Sequence, residues 1–368
     1  MQSSFSFTHQ TWQRLKKNKG AIFGLIIIAL AIIISIFGYL IAPDGSPYAD
    51  LQTVEIQAKK AGYKQMFLKV PTKENNHTGW LSKLMNGQRE VYNYVPISGY
   101  SFSNDSLLVH KYIDEDTSVV QYYSINQLTG KDPGSLSKKN LVTKTYWLGT
   151  DKFGRDILSR LIIGTRVSLA VGLIAVIISV TIGIALGALA GYYRGRIDEL
   201  IMWLVNVTWS IPTLLLVFAI TMTLGKGFWQ IFIAVGLTMW VSVARLIRGQ
   251  VMAINELEYV QAARALGLSD ARIILKHILP NIMGPVMVVA ASNFATAIII
   301  EAGLSFLGIG VQPPQPSWGL MIKENYNFII THNPMLALIP GFTIMLLVLA
   351  FNLLGNGLRD AVDVRTPL

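Results

Sequence analysis

The side chains able to do chemistry in this 368-residue chain are few and scattered. It contains no cysteine, which removes a thiol nucleophile, a disulfide framework and any thiolate-held zinc or iron–sulfur centre. The five histidines (His9, His77, His110, His277 and His332) show neither HExxH spacing nor a carboxylate pattern that would hold a metal. No GxxxxGKS/T stretch is present, so the chain has no Walker-type phosphate loop of its own. The remaining chemistry is recognition of a protein or of lipid, and it concentrates between Arg245 and Pro280. There Asn255–Leu266 reads as a short helix, with Glu256 and Glu258 in a first turn that favours negative charge. Gly267 ends it as a left-handed cap. Ser269 then caps a second helix, Asp270–Ile278, which Pro280 closes. Ala262 and Ala263 flatten one surface of the first helix. That surface suits close approach to a partner protein, or equally an amphipathic hairpin lying on lipid.

The elements that must carry this loop are apolar. Hydrophobic residues make up 52% of the chain and charged ones 14%, with mean hydropathy +0.46, against about 25% charged in soluble domains. Six long uncharged runs stand out: Ala21–Ala42, Val167–Tyr193, Leu200–Gly225, Gly227–Ala244, Ile278–Ile300 and Asn333–Leu358. A helix of roughly 20 apolar residues crosses the hydrocarbon, and backbone groups in lipid must pair internally, so six spans are predicted. Ala21–Ala42 is too long for a signal core and lacks a small-residue cleavage site, which predicts a retained anchor. With the N-terminus inside, Arg14, Lys16, Lys17, Lys19, Arg194, Arg196, Arg245, Arg248, Arg264, Arg272, Lys276, Arg359 and Arg365 fall on the cytoplasmic side. Only Lys226 and Lys323 fall in short outer loops. The bias predicts both termini in the cytoplasm. The net charge of +10 is therefore a topology signal rather than the clustered basic face of a nucleic-acid binder.

Segment 43–166 holds sixteen of the 31 basic residues and reads differently. β-prone pieces at Glu90–Val95, Leu107–Ile113 and Val119–Ile125 are separated by turn signals at Asn86-Gly87, Ser98-Gly99, Asn104-Asp105, Thr129-Gly130 and Asp132-Pro133-Gly134. Ala49–Ala61 is predicted as a short helix before them. Asn76-His77-Thr78 and Asn104-Asp105-Ser106 match the glycosylation triplet, which is common by chance. Residues 43–146 are thus expected to form a small α+β extracytoplasmic domain. Within 147–166, Ile157, Leu158, Leu161 and Ile162 at helical spacing, with Arg155, Asp156 and Arg160 between them, predict an outer interfacial helix.

Polar residues inside the runs are the candidates for a translocation path. Asn206, Thr208, Ser210 and Pro212 make a breakable patch in the third span, which could line a cavity or hydrogen-bond between helices. Glu301, at the end of the fifth span, is the lone carboxylate among the apolar runs. It is a functional candidate by default, and structural pairing is the alternative. So few ionisable groups argue against a proton-coupled secondary transporter. Ser179, Gly183, Gly187 and Gly191 form a small-residue stripe, suited to packing within the chain or between subunits.

The loop also carries a resemblance. Gln261-Ala262-Ala263 with Gly267, then His277-Ile278-Leu279-Pro280, resembles the EAA motif of ATP-binding-cassette importer permeases, and Glu258 through Gly267 is similar to the oligopeptide/dipeptide branch. Three further blocks resemble the C-type subunit of that branch: Leu148-Gly149-Thr150-Asp151 through Ser159-Arg160-Leu161, Leu304-Ser305-Phe306-Leu307-Gly308 through Pro316-Ser317-Trp318-Gly319, and Asn352-Leu353-Leu354-Gly355 through Arg359-Asp360. The resemblance covers residues 12–42 loosely and 147–368 almost continuously. It implies that the loop is a coupling helix inserted into an ATPase subunit, with Glu258, Tyr259, Gln261, Ala262, Ala263, Arg264 and Gly267 at that contact. Gln261 stands where the motif's Glu is usual, and His277 replaces the usual aliphatic residue.

The expected fold is an all-α polytopic membrane protein of six transmembrane helices, the type I importer permease fold, with the small α+β insertion after the first helix. Its organisation is a cytoplasmic N-terminus (1–20), a first span (21–42), the inserted domain (43–146), the interfacial helix (147–166), a five-helix core (167–358) with coupling loop 245–280, and a cytoplasmic C-terminus (359–368). The resemblance implies a non-catalytic subunit of a peptide importer in the bacterial cytoplasmic membrane. Its implied partners are a homologous second permease, two cytoplasmic ATPase subunits holding ATP and Mg, and an extracytoplasmic peptide-binding protein. The chain itself binds no cofactor, no metal and no nucleic acid on this reading. The same family also carries nickel, glutathione and other small solutes, and a membrane sensor with an outer ligand-binding domain is the alternative from a different class.

Overall fold

The computed structural model describes residues 7–72, 79–103, 106–124, 128, 140–225, 227–331 and 333–362. The turn signals at Asn104-Asp105, Thr129-Gly130 and Asp132-Pro133-Gly134, most of both glycosylation triplets, and Lys226, His332 and Arg365 lie outside these residues. The chain divides into two compact units. One comprises residues 1–32, 167–312 and 342–368, and the other residues 33–166 and 313–341.

The first unit is helical. Helices α1 (Phe7–Lys17) and α2 (Lys19–Ile41) open the chain. Five helices among the described residues are long and apolar enough to cross a membrane: Lys19–Ile41, Ile157–Tyr193, Phe228–Asn255, Asp270–Leu307 and Met335–Val362. The third expected span, Leu200–Gly225, is instead a pair, Gly195–Ser210 and Thr213–Leu224, bent by 93° at the break. The cause is local. Pro212 excludes the helical conformation at the residue before it, and Ile211 is extended at φ −93°, ψ 128°. A new helix starts at once, with the Leu216 amide donating to the Pro212 carbonyl at 3.0 Å.

The small-residue stripe packs within the chain. A Cβ added at Gly183 would strike Val243, one at Gly187 would lie 2.5 Å from the Ala244 carbonyl, and one at Gly191 2.7 Å from the Arg248 carbonyl. Ile157–Tyr193 and Phe228–Asn255 therefore meet almost backbone to backbone, as small-xxx-small faces allow. Val243, Ile247 and Val251 continue that contact into a core with Ile273, Ile278 and Ile282.

Two expectations for helices after the loop need correction. Pro280 does not close a helix. Asp270–Ile273 passes through a π turn, Ile274–Ile278, directly into Leu279–Leu307. Pro280 lies in the first turn after the wider one, where its missing N–H interrupts the ladder without ending it. Residues 147–166 likewise form no separate interfacial helix. Residues 147–156 are a loop, and Ile157 begins a continuous helix to Tyr193.

The second unit contains a five-stranded antiparallel sheet of order β4-β3-β2-β1-β5, built from β1 (Tyr63–Pro71), β2 (Tyr92–Ser103), β3 (Ser106–Tyr112), β4 (Ser118–Ser124) and β5 (Leu141–Tyr146). Three strands fall where the β-prone pieces predict them, and β1 and β5 are additional. Their apolar alternation is masked. Gln65 occupies an inward position of β1 and donates to the Ile97 carbonyl at 2.8 Å, and Lys144 of β5 covers the Tyr94 ring at 3.4 Å. Leu68, Val95, Ile97, Leu107 and Val109 form one core cluster, and Ile56, Phe67, Tyr112 and Tyr146 form another. The helix expected at Ala49–Ala61 is replaced by two short 3-10 turns, Pro47–Ala49 and Val54–Ile56. Loop 149–156 claims that segment's amides: Thr53 N–H donates to Phe153 O, Ala58 N–H to Asp151 O and Lys59 N–H to Thr150 Oγ1.

Candidate coupling site

The loop after Phe228–Asn255 turns at Leu257 and forms a helix over Glu258–Ala265. Glu258 lies in the first turn as predicted, whereas Glu256 precedes the helix and pairs with Arg194 at 2.5 Å. Gly267 (φ +78°) ends it: its own N–H donates to Arg264 O and that of Leu268 to Ala263 O. This pair of bonds is the Schellman arrangement, which requires the left-handed residue that glycine supplies most cheaply. Ser269 stands at the start of the next helix without a side-chain cap bond.

The eight-residue helix has two unlike faces. Val260 and Ala263 are buried against Val251, Ile273 and Ile278. Glu258, Tyr259, Gln261, Ala262, Arg264 and Gly267 are exposed. Ala262 and Ala263 thus do not form one flat surface: 100° of helical rotation sends Ala263 into the chain's own core and leaves Ala262 outside. Leu266, 82% exposed at the tip, is an apolar residue that the sequence reading missed. Its signal was present, because the residue before a left-handed glycine cap ends the helix and has no core to face.

Polar bonds fix the helix to its neighbours. Arg264 donates to Asn255 Oδ1 at 2.9 Å and lies 5.3 Å from the Tyr192 ring, while Tyr192 donates its hydroxyl to Asp270 at 2.6 Å. Tyr259 donates to the His277 carbonyl at 3.3 Å and accepts from Asn281 at 3.0 Å. Gln261 donates to the Glu256 carbonyl at 3.2 Å, so its amide is spent locally. Below them Arg248 makes a two-pronged pair with Asp198 at 2.5 and 2.6 Å. The loop is a handle pinned to the ends of four helices.

The polar path candidates each hydrogen-bond within the chain. Asn206 accepts from Arg245 at 3.0 Å, Thr208 donates to Leu204 O at 2.8 Å, and Ser210 donates to Val207 O at 2.7 Å. All three lie on the helix before the bend, and Pro212 makes the bend. Glu301 is fully buried and accepts from Ser305 Oγ at 2.7 Å, while the same hydroxyl accepts from the Val311 amide at 3.0 Å. That chain of bonds ties the end of Asp270–Leu307 to the segment after it.

In the second unit, Arg155, Asp156 and Arg160 are buried rather than spread along an interfacial surface. Asp151 Oδ1 accepts from the amides of Phe153 and Arg155, and Gly154 (φ +73°) packs on the Thr53 carbonyl where any Cβ would collide. Arg155 then donates to Asp151 at 2.6 Å, Asp50 at 3.1 Å and Glu324 at 2.6 Å. Burial alone would lower the Arg155 pKa, but the carboxylates of Asp151 and Glu324 outweigh it and raise it. Arg160 lies 3.4 Å from Glu324. The block that reads Leu148 through Leu161 in sequence is thus an ion cluster clamping residues 50, 151 and 324 together. No group of three or more histidine or carboxylate side chains placed to hold a metal ion occurs among the described residues.

Residues 183–366 match the family described as binding-protein-dependent transport system inner membrane component, and residues 6–57 match the N-terminal TM domain of oligopeptide transport permease C. A dipeptide transport system permease protein of Alkalihalophilus pseudofirmus is 44% identical over 218 residues, 59% of this chain and 71% of that one. An oligopeptide transport system permease protein of Bacillus subtilis is 38% identical over 242 residues, 66% of this chain and 76% of that one. A glutathione transport system permease protein of Pectobacterium atrosepticum is 42% identical over 221 residues, covering 60% and 73%. Among solved structures, a chain of the MetNI methionine ABC transporter in an inward facing conformation covers 56% of this chain and 98% of its own, at TM-score 0.47 and 19% identity.

Proposed function

The chain belongs to the binding-protein-dependent transport system inner membrane components, and from that membership we propose that it is the C-type permease subunit of an ATP-driven peptide importer. It supplies spanning helices to the path and hydrolyses nothing itself; ATP and Mg are held by two cytoplasmic ATPase subunits. A second, homologous permease completes the path, and an extracytoplasmic binding protein delivers the peptide. Both termini and the loop carrying Glu258–Ala265 face the cytoplasm of a bacterial cell. The observation that carries this reading is the two-faced helix. Its inner face, Val260 and Ala263, is locked to the spanning helices, and its outer face, with Glu258, Ala262 and Leu266, is exposed to an ATPase.

Coupling then follows mechanically. A push on Leu266 and Ala262 reaches Asp270–Leu307 through the Schellman turn and the Tyr192–Asp270 bond, and moves Phe228–Asn255 through the shared apolar core. Packed helices transmit such a push as rigid-body motion. The 93° break at Ile211–Pro212 is the place where the bundle can change shape without breaking a regular ladder. Changing Leu266 to Asp tests the proposal in vesicles reconstituted with all partners. ATP-dependent peptide uptake and co-purification of the ATPase subunits should both fall sharply, with insertion unaffected; full uptake by that variant overturns the assignment. The relative named for glutathione transport makes glutathione the second cargo for the same uptake assay.

A further inference from the structure

The helix α3 (Trp80–Asn86), in the unit of residues 33–166 and 313–341, contains no buried residue. At about 100° per residue, Trp80, Leu84, Leu81 and Met85 cover a continuous arc of about 140°, with Ser82, Lys83 and Asn86 opposite. Such an arc normally turns to a core. Here Trp80 is 72%, Leu81 59% and Met85 54% exposed.

The anchoring of this helix says what covers it. Arg166 donates to the Met85 carbonyl at 2.7 Å and to that of Leu84 at 3.4 Å. At the C-terminal end Gly87 is pressed between Tyr39 and the Gly45 carbonyl, where a Cβ would sit 2.9 Å from the Tyr39 ring and 2.7 Å from that oxygen. Arg166 in turn lies 5.4 Å from the centre of the Tyr39 ring. Tyr39 belongs to the last turn of Lys19–Ile41, and Arg166 immediately precedes the uncharged run of Ile157–Tyr193. A tyrosine and an arginine at the ends of two spans mark the depth at which the chain leaves hydrocarbon. The exposed apolar arc is therefore tied to the bilayer surface at two points.

The polar side of α3 supplies the complement. A cavity of about 280 Å³ beside it is lined by Lys83, Gln88, Arg89, Glu90 and Tyr92, among others. Lys83 and Arg89 have no carboxylate within ion-pair distance among the described residues, and Glu90 is engaged by the Tyr94 hydroxyl at 3.2 Å. Apolar insertion beside free cations is the combination by which monotopic helices hold an anionic lipid surface.

We propose that α3 is an interfacial anchor of the inserted domain. Trp80, Leu81 and Met85 enter the acyl boundary of the leaflet on that domain's side, and Lys83 and Arg89 take lipid phosphates. The inference rests on Lys19–Ile41 and Ile157–Tyr193 crossing the bilayer, and not on the cargo. The absence of native cysteine makes the test direct. Leu81→Cys, Met85→Cys and Ser82→Cys are each labelled with a fluorophore in the full chain, in phosphatidylcholine vesicles with and without phosphatidylglycerol, and quenched by lipids spin-labelled near the headgroup. The probes at 81 and 85 should be quenched roughly threefold more than the probe at 82. Phosphatidylglycerol should increase that quenching, and the double variant Lys83→Gln, Arg89→Gln should lose the increase. Equal quenching at the three sites overturns the proposal, as does protection of 81 and 85 that appears only when the binding protein is added. Probe depth is read without transport, so its failure leaves the importer reading standing, and failure of peptide uptake leaves the anchor standing.

Discussion

Substituting Asp at two adjacent alanines of the coupling helix separates folding from contact. Ala263 is 6% exposed and packs with Val251, Val260, Ile273 and Ile278. The nearest cation along the helix, Arg264, is occupied by Asn255 and Tyr192. An aspartate at 263 must therefore either sit unpaired in an apolar core or take up a proton. Keeping it neutral at pH 7, about three pH units above its ordinary pKa, costs about 4 kcal/mol. The burial that holds the helix down is of the same order or smaller, about 2 kcal/mol for Val260 and about 1 kcal/mol for the Ala263 methyl. Ala263→Asp should thus detach Glu258–Ala265 from the spanning helices while the chain still inserts. Ala262→Asp, on the exposed face, should leave the helix docked and weaken only the contact with an ATPase. Limited proteolysis and amide exchange across residues 256–268 read the first effect, and ATPase co-purification with peptide uptake reads the second. A protease-resistant loop in Ala263→Asp, or exposure of the loop in Ala262→Asp, would refute this assignment of faces.

Gly187→Leu should prevent Ile157–Tyr193 from meeting Phe228–Asn255, because its Cβ alone would lie 2.5 Å from the Ala244 carbonyl; loss of the folded species on size-exclusion chromatography checks it. In the ion cluster around Arg155 two guanidiniums face three carboxylates, so Arg155→Gln leaves a buried excess of negative charge and should cost about 3–5 kcal/mol. Glu324→Gln leaves the cluster balanced and should cost about 1 kcal/mol, a contrast measurable by pulse proteolysis of the full chain. Asp156 has its pKa raised, chiefly by burial, against the lowering effect of the Ser159 hydrogen bonds. A carboxyl whose folded pKa is raised contributes stability at pH below the ordinary carboxylate range and loses it as pH rises through the folded value. Protease resistance of the unit that contains Asp156 should accordingly fall with rising pH over that window, and Asp156→Asn should flatten the profile.

Five of the six expected spans fall on single long helices, give or take a few residues at their ends, because runs such as Ala21–Ala42 and Asn333–Leu358 leave hydrocarbon no other secondary structure to accept. Gly267 was equally legible, since a left-handed cap is a property of the residue itself. The inserted domain was legible only in part. β2, β3 and β4 alternate in sequence, but β1 hides behind the buried Gln65 and β5 behind Lys144, whose polar ends are satisfied by strands far along the chain. The helix expected at Ala49–Ala61 does not form because residues 149–156, about a hundred positions away, take its backbone amides.

By itself the sequence determined where the long apolar runs fall, where the loop with its glycine cap falls, and which family the chain resembles, because these depend on composition and on neighbours within a few residues. Tertiary structure alone decided that Ala263 faces inward while Ala262 faces outward, and that the glycine stripe is consumed inside the chain. It also decided that Arg155 and Arg160 find Asp50 and Glu324. Each of these turns on which surface arrives opposite a residue, and that is set by packing and long-range charge pairing rather than by local spacing.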